Sequence, residues 1–222
     1  EDFVPLAKTS TKDKVKYGQK IWPQNEDEKQ AMEDKKKEED KAFIALFGGQ
    51  QIPGPLLALY EFEQLVGKEN LCESFYLHAI DKSGLKTWSD NPDFLDSIIE
   101  FATANGSGTG YAFWKTSNNL NDCPIVVFGD GGGHHVVAEN ILDLMHLLTF
   151  DIEVYVDFDG TSYYKDEEEY EESDSAGEYR VWLKENYGLK PIATQEEMDE
   201  KVKRARDKYQ ASFERWIEQF VN

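Results

Sequence analysis

Residues 124–137 leave the backbone few choices, because β-branched segments flank a run of glycines. Residues 124–128 read Pro-Ile-Val-Val-Phe, and residues 134–137 read His-His-Val-Val. Short runs rich in Ile and Val favour strands, and glycines between two strands supply the positive φ angles that a tight turn needs. The pattern therefore predicts a β-hairpin. Its turn residues are Gly129, Gly131, Gly132 and Gly133.

The glycine run and the two histidines after it also fit two chemical interpretations, which the sequence disfavours. A phosphate-binding loop leads from a strand through glycines into a helix and carries Gly-Lys-Ser/Thr, whereas here a strand follows and that sequence is missing. Adjacent residues of a strand point to opposite faces, so His134 and His135 would chelate one metal ion poorly. We therefore interpret the glycine run as a structural turn.

Helix signals recur along the chain. Residues 26–42 are rich in Glu, Asp and Lys, and they predict a helix, as do residues 56–62. Asn91 stands as an N-cap before Pro92-Asp93, and Asn140 begins a predicted helix that runs to residue 149. The predicted apolar face of the helix after Asn91 comprises Phe94, Leu95, Ile98, Ile99 and Ala102.

The C-terminal region predicts a long helix. Thr194 and Glu197 have the spacing of a capping box. Apolar residues then recur at spacings of three and four, which places them on one face of the helix. They are Met198, Val202, Ala205, Tyr209, Phe213, Trp216 and Phe220. We expect this face to pack on the domain's own core.

Two further segments predict strands, and a third fits strand or helix equally. Residues 110–114 are aromatic and bounded by glycine, and residues 152–159 alternate apolar and polar, which predicts a strand with one buried face. Residues 71–80 are the undecided segment. Together these features predict an α+β fold with a single mostly antiparallel β-sheet flanked by helices. We expect one domain over residues 26–222 and an extended arm over residues 1–25.

The charge balance excludes two classes of partner. The chain has 44 acidic and 24 basic residues and a formal net charge of −20, so it repels nucleic-acid phosphates and anionic lipids and attracts basic proteins. Cys72 and Cys123 form neither a metal-binding spacing nor a disulfide framework. The first residues lack a signal-peptide pattern, and no apolar run is long enough to span a membrane. We therefore expect a cytoplasmic protein with no nucleic-acid or membrane partner and no cofactor.

Half of this net charge lies between residues 151 and 180, which contain twelve acidic and two basic residues. Tyrosines are interleaved with the carboxylates. Acidic groups steer a basic partner to a surface and aromatic rings supply contact area, although a solvated acidic loop has the same composition. The candidate partner-binding residues are Glu153, Tyr155, Asp157, Asp159, Tyr163, Tyr164, Glu167 and Glu168.

Catalytic signatures are weak in this sequence. No Gly-x-Ser-x-Gly motif occurs, and neither cysteine stands in a recognised nucleophile context. Asp157 and Asp159 could share a metal ion with His134 or His135, which would make the chain a metal-dependent hydrolase. An exposed polar strand face is the simpler explanation of the two aspartates, so we expect a protein without catalytic activity.

The order of these features resembles the SUKH superfamily, which contains Smi/Knr-type regulators of yeast cell-wall synthesis and bacterial toxin-immunity proteins. The resemblance extends over residues 94–165, from the helix at Phe94 through the glycine turn to the strand that begins at Ile152. It implies an α+β fold with one mostly antiparallel sheet. For bacterial members it also implies the neutralisation of a toxin, which makes a basic toxin domain the expected partner. A cell-wall-synthesis or signalling scaffold is the alternative.

Overall fold

The computed structural model describes residues 25–221, which form an α+β fold. The helices of this part are α1 (Glu26–Ala45), α2 (Gly54–Val66), α3 (Ser83–Lys86), α4 (Pro92–Ser97), α5 (Ile141–Leu148), α6 (Ala176–Tyr187) and α7 (Gln195–Ile217). Its strands are β1 (Tyr76–Leu77), β2 (Ile98–Thr103), β3 (Gly110–Trp114), β4 (Ile125–Phe128), β5 (His134–Ala138), β6 (Tyr155–Val156) and β7 (Thr161–Ser162). The arm expected over residues 1–25 lies outside the described residues except for Asn25. The Asn25 side chain caps α1 by accepting a hydrogen bond from the Glu28 amide at 2.9 Å.

Five strands form one antiparallel sheet in the order β1-β2-β3-β4-β5. Each strand pairs with the next one along the chain, so the sheet is a meander. The predicted hairpin is present as β4 and β5, in which Phe128 pairs with His134. Strands β6 and β7 form a separate small hairpin. The structure thus confirms the predicted fold class, with a main antiparallel sheet flanked by helices.

Geometry requires glycine at three of the four predicted turn positions. Gly132 and Gly133 have φ angles of 102° and 85°, which confirms the expected positive φ. Gly129 lies close to the β6–β7 hairpin, where a Cβ would lie 2.7 Å from Cγ1 of Val156. Gly131 has open space around it, and nothing in the structure requires glycine there.

Helices cover both faces of the main sheet. On one face, Phe113 and Val127 belong to a core that includes α1, α2, α5 and α6. On the other face, Trp114 and Phe128 pack against α7, with the ring centroids of Trp114 and Phe213 5.1 Å apart. Because both faces are buried, the central strands are almost continuously apolar instead of alternating.

Helix α7 confirms the predicted long C-terminal helix. The Thr194 hydroxyl accepts a hydrogen bond from the Glu197 amide at 3.2 Å, and the Glu197 carboxylate accepts one from the Ala193 amide at 2.8 Å. The fully buried members of the predicted stripe are Met198, Val202, Ala205 and Phe213. Its partly buried members are Tyr209, Trp216 and Phe220. The stripe packs on the domain's own core, as expected.

The helix predicted after Asn91 is wrong beyond residue 97. Asn91 does cap α4, since its side chain accepts a hydrogen bond from the Asp93 amide at 2.8 Å, but residues 98–103 form β2. The apolar pattern fitted a helix face because a strand buried on both sides is also rich in apolar residues. Pairing with β1 on one side and β3 on the other decides the outcome. Local propensity is a weaker influence than such tertiary pairing.

The single strand predicted over residues 152–159 is also wrong. The chain forms the hairpin of β6 and β7, and Phe158, expected on the buried face, is 83% exposed at its tip. Asp157 causes the turn, because its Oδ1 accepts hydrogen bonds from the amides of Asp159 at 2.9 Å and Gly160 at 2.8 Å. Aspartate commonly bonds in this way to amides two or three residues further on.

Helix α6 was not predicted, and only its first residues, 176–180, belong to the acidic region 151–180. Its inner side contains the buried residues Tyr179 and Leu183. The ring of Trp182 stacks on that of Phe62 in α2 at 4.9 Å between centroids. The undecided segment 71–80 contains only the two-residue strand β1 as regular structure.

Glu63 is a buried carboxyl group on the inner side of α2. It is 0% exposed, and both of its oxygens accept a hydrogen bond from the Leu77 amide at 3.0 Å, which ties β1 to α2. Burial raises the pKa of Glu63 to about 8, although the Leu77 amide and the charge of Lys68 oppose the shift. The folded protein therefore binds this proton more tightly than the unfolded chain does.

We expect Glu63 to make the folded protein less stable as the pH rises from about 4.5 to 8. The free energy of unfolding should fall by about 1 kcal/mol per pH unit in this window because of this one group. Glu63→Gln removes the titration and should flatten the slope in urea-denaturation curves recorded across the window. Glu61→Gln, an exposed neighbour on α2, is the control and should leave the slope unchanged. Equal slopes in all three proteins would contradict this account.

Candidate protein-binding groove

A groove of about 640 Å³ lies between the β6–β7 hairpin, the β2–β3 loop and the segment of residues 166–174, which we name the acidic segment. Its charged lining consists of the carboxylates of Glu73, Glu153, Asp166, Glu169 and Glu171. Among the described residues that line the groove, none is Lys or Arg. Tyr155 and Tyr164 also line it and are 64% and 70% exposed. We name this concavity the acidic groove.

Asp151 holds the acidic segment against the body of the protein. Its side chain is 1% exposed and accepts four hydrogen bonds. Oδ1 accepts from the Glu73 amide at 3.0 Å and the Ser173 hydroxyl at 2.6 Å. Oδ2 accepts from the Tyr170 hydroxyl at 2.7 Å and the Ser173 amide at 2.8 Å. One buried carboxylate thus ties Glu73 to Tyr170 and Ser173 of the acidic segment.

Arg180 and Lys165, the two basic residues of region 151–180, are both engaged beneath the acidic segment. Arg180 donates to the Thr149 carbonyl at 2.9 Å, to the Tyr170 hydroxyl at 3.3 Å and to the Glu172 carboxylate. The Lys165 ammonium lies 3.9 Å from the centre of the Tyr170 ring. Burial lowers the pKa of Lys165 and raises that of Tyr170 to about 12. Both cations therefore anchor the segment, and within residues 25–221 the carboxylates of the groove have no ion pair with Lys or Arg.

The lower wall of the groove is built by contacts between distant parts of the chain. Glu153 accepts a hydrogen bond from the Gly106 amide at 2.8 Å, and its own amide donates to the Glu73 carboxylate at 3.1 Å. Asn105 donates to the Val154 carbonyl at 2.8 Å and accepts from the Thr109 amide at 3.0 Å. Asn105 thus shapes the β2–β3 loop and holds it against residue 154.

The structure brings only part of the predicted partner-binding set to the groove. Glu153, Tyr155 and Tyr164 line it. Asp157 and Asp159 are exposed at the tip of the β6–β7 hairpin, and Glu167 and Glu168 are exposed on the acidic segment outside the groove.

Tyr163 does not belong to this surface. Its side chain is 2% exposed, and its hydroxyl forms a hydrogen bond with that of Tyr111 at 2.8 Å. Burial raises the pKa of both hydroxyls. Neighbouring residues in an extended segment point to opposite sides, so Tyr163 turns inward where Tyr164 turns outward. The prediction for Tyr163 is therefore wrong, because the side chain offers no contact area to a partner.

The sequence missed Glu73, which lies 80 residues before its hydrogen-bond partner Glu153. No local pattern distinguishes Glu73 from other surface glutamates. Asp166, Glu169 and Glu171 belonged to the predicted acidic patch, but the pattern could not tell which carboxylates would face the groove. The hydrogen bonds of Asp151 decide that orientation, and they depend on the tertiary fold.

The metal site considered for a hydrolase is not assembled. The His134 ring packs against Trp88 and Phe213, with centroids at 5.5 and 5.8 Å. His135 makes its hydrogen bond to the backbone carbonyl of Asp157 at 2.8 Å, and the Asp157 carboxylate bonds within its own turn. Burial lowers the pKa of both histidines. Over residues 25–221, no group of three or more His, Cys, Asp or Glu side chains is placed to hold a metal ion.

Comparison with models of protein families, with curated proteins and with solved structures gives no match for this chain. The resemblance to the SUKH superfamily therefore stays a prediction. In the described part of the chain, none of the helices has the length and apolar character needed to cross a membrane.

Proposed function

We propose that this chain is a protein-binding module whose acidic groove takes a basic segment of a partner protein. The observation that carries the proposal is the composition of the groove, which has five carboxylates and two exposed tyrosines but neither Lys nor Arg among its described lining residues. Carboxylates that converge on one concavity reinforce each other's field and attract a cationic surface. Exposed tyrosines supply contact area once the partner is seated.

The size and construction of the groove support the same proposal. Its volume of about 640 Å³ lies within the range of pockets that bind ligands. Its acidic wall is held in place by Asp151 and Arg180, so a partner does not have to order it. A surface that is already ordered binds at a lower entropic cost than a flexible one.

The resemblance to the SUKH superfamily extends the proposal to the identity of the partner. It makes the chain an immunity-type protein that occludes a toxin domain. Toxins that act on nucleic acids need basic surfaces to bind phosphates, and an acidic groove is complementary to such a surface. The proposed protein has no catalytic role.

A second candidate function is a scaffold in cell-wall synthesis or signalling, and an apolar groove favours it. This groove, of about 640 Å³, lies between α1, α2 and α6 and is lined by Phe43, Tyr60 and Trp182. Ile44 and Leu57 also line it and are 56% and 39% exposed. A scaffold would use the two grooves for different partners.

We expect Glu169→Lys with Glu171→Lys to weaken binding of a basic partner roughly thirtyfold, because the new lysines repel the cations that the groove attracts. The partner for this test is any basic toxin domain that is found encoded next to this chain, and binding is measured by titration calorimetry. A deca-arginine peptide is a second probe, which reports only the electrostatic contribution to binding. Both affinities should also fall as salt is added.

The control variant combines Glu185→Lys with Glu200→Lys, two exposed residues on α6 and α7 that do not line the groove. It changes the net charge by the same amount, so it should keep nearly all of the affinity. If both double variants weaken binding equally, general charge would be responsible, and the groove would not be the binding site.

A further inference from the structure

A second concavity, of about 390 Å³, lies on the side of the main sheet that faces α7. Its walls are the rings of Trp88 and Phe128, with centroids 5.6 Å apart, and its rim is the glycine turn between β4 and β5. Glu100 of β2 and Asp130 of the turn are its acidic lining residues. None of its described lining residues is basic. We name it the Glu100 pocket.

The carboxyl group of Glu100 has no hydrogen-bond or ion-pair partner among residues 25–221. Its Oε2 is shielded from water and forms no hydrogen bond with any described residue. Glycine at position 110, the first residue of β3, makes room for this side chain. A Cβ on Gly110 would lie 2.8 Å from Glu100 Oε1.

A carboxyl oxygen that is shielded from water and makes no hydrogen bond costs about 1–3 kcal/mol. No Lys or Arg among the described lining residues offsets that cost. Burial, and secondarily the charge of Asp81, raises the pKa of Glu100 to about 7. Two acidic groups lie near this carboxyl group: Asp81 beside it and Asp130 on the rim. His134 packs against the ring of Trp88 but is not one of the residues that line the pocket.

We propose that the Glu100 pocket binds a small organic cation, whose N–H groups donate to the Glu100 carboxylate while its alkyl part lies against Trp88. A charge-assisted hydrogen bond would give the Glu100 carboxylate a cationic partner, and aromatic faces attract ammonium and guanidinium groups. A metal ion fits less well, because Ca²⁺ or Mg²⁺ needs about six oxygen ligands and the pocket offers two carboxylates. This site is separate from the acidic groove and does not depend on its function.

The first test titrates the protein with n-butylammonium and, as the neutral probe of similar shape, n-butanol, and follows backbone amide NMR shifts. Butylammonium should shift signals around Trp88 and the glycine turn, and Glu100→Gln should weaken its binding at least tenfold. Glu185→Gln, an exposed change on α6 outside both concavities, should leave the affinity unchanged. Equal binding of butanol, full affinity in Glu100→Gln, or no shifts near Trp88 would overturn the proposal.

A second measurement keeps the proposal testable if Glu100→Gln fails to fold. The side-chain carboxyl carbon of Glu100 is titrated by NMR in the wild-type protein, with and without saturating butylammonium. A cation bound at the carboxylate favours the ionised form, so the pKa of Glu100 should fall when the probe is present. An unchanged pKa would show that the cation does not contact this group and would overturn the proposal.

Discussion

Asp151→Asn is expected to lower the free energy of unfolding by about 3 kcal/mol and to release the acidic segment. Each carboxylate oxygen of Asp151 accepts one backbone amide hydrogen, from Glu73 at Oδ1 and from Ser173 at Oδ2. An asparagine must turn its NH2 group toward one of them, so two donors face each other in either orientation. Because Asp151 is 1% exposed, water cannot resolve this conflict.

The φ angle of 58° at Asp151 makes asparagine a fair substitute, because asparagine tolerates this left-handed region well. The expected decrease in the free energy of unfolding therefore reflects the altered hydrogen bonds and not backbone strain. Urea denaturation measures the stability, and hydrogen exchange over residues 166–174 measures the release of the segment. Asp174→Asn, an exposed change in the same segment, should alter neither. Unchanged exchange in Asp151→Asn would mean that other contacts hold the segment.

Gly133→Ala is expected to destabilise the protein by about 4 kcal/mol, through strain and a steric clash. The φ angle of 85° is one that alanine rarely adopts. A Cβ at this position would also collide with the backbone carbonyl of Asp157, which accepts the hydrogen bond of His135. The substitution therefore pushes the glycine turn away from the β6–β7 hairpin, which supplies Tyr155 to the acidic groove.

Gly131→Ala is the matched control two residues away in the same turn. A Cβ there meets nothing within 4 Å, and the φ angle of Gly131 is not in the left-handed region. Its stability should stay within about 0.5 kcal/mol of the wild type. Thermal unfolding of the two variants measures the difference. Equal losses would contradict the claim that position 133 is the close contact between the turn and the hairpin.

Local signals in the sequence were sufficient for the elements that depend on local interactions. The N-caps at Asn91, Asn140 and Thr194 were predicted correctly, because a capping side chain bonds to an amide only two or three residues ahead. The glycine turn and the stripe of α7 were predicted for similar reasons. Each is specified by residues that are close together in the chain.

The features that the sequence did not reveal depend on contacts between distant residues. Strand β2 has the apolar residues of a helix face, and it forms a strand because it pairs with β1 and β3. Tyr163 and Tyr164 are identical neighbours, yet one is 2% and the other 70% exposed. Glu73 reaches the acidic groove from 80 residues away. Composition could therefore predict an acidic surface, but not its shape.

The most direct test of the acidic groove locates a bound basic protein by hydrogen exchange. The chain saturated with deca-arginine, or with a basic toxin domain where one is found encoded beside it, is compared with the free chain. If the groove is the binding site, amides of residues 153–156 and 164–171 should be protected, and those on the exposed face of α7 should not. Protection confined to α7, or to the apolar groove between α1, α2 and α6, would contradict the account.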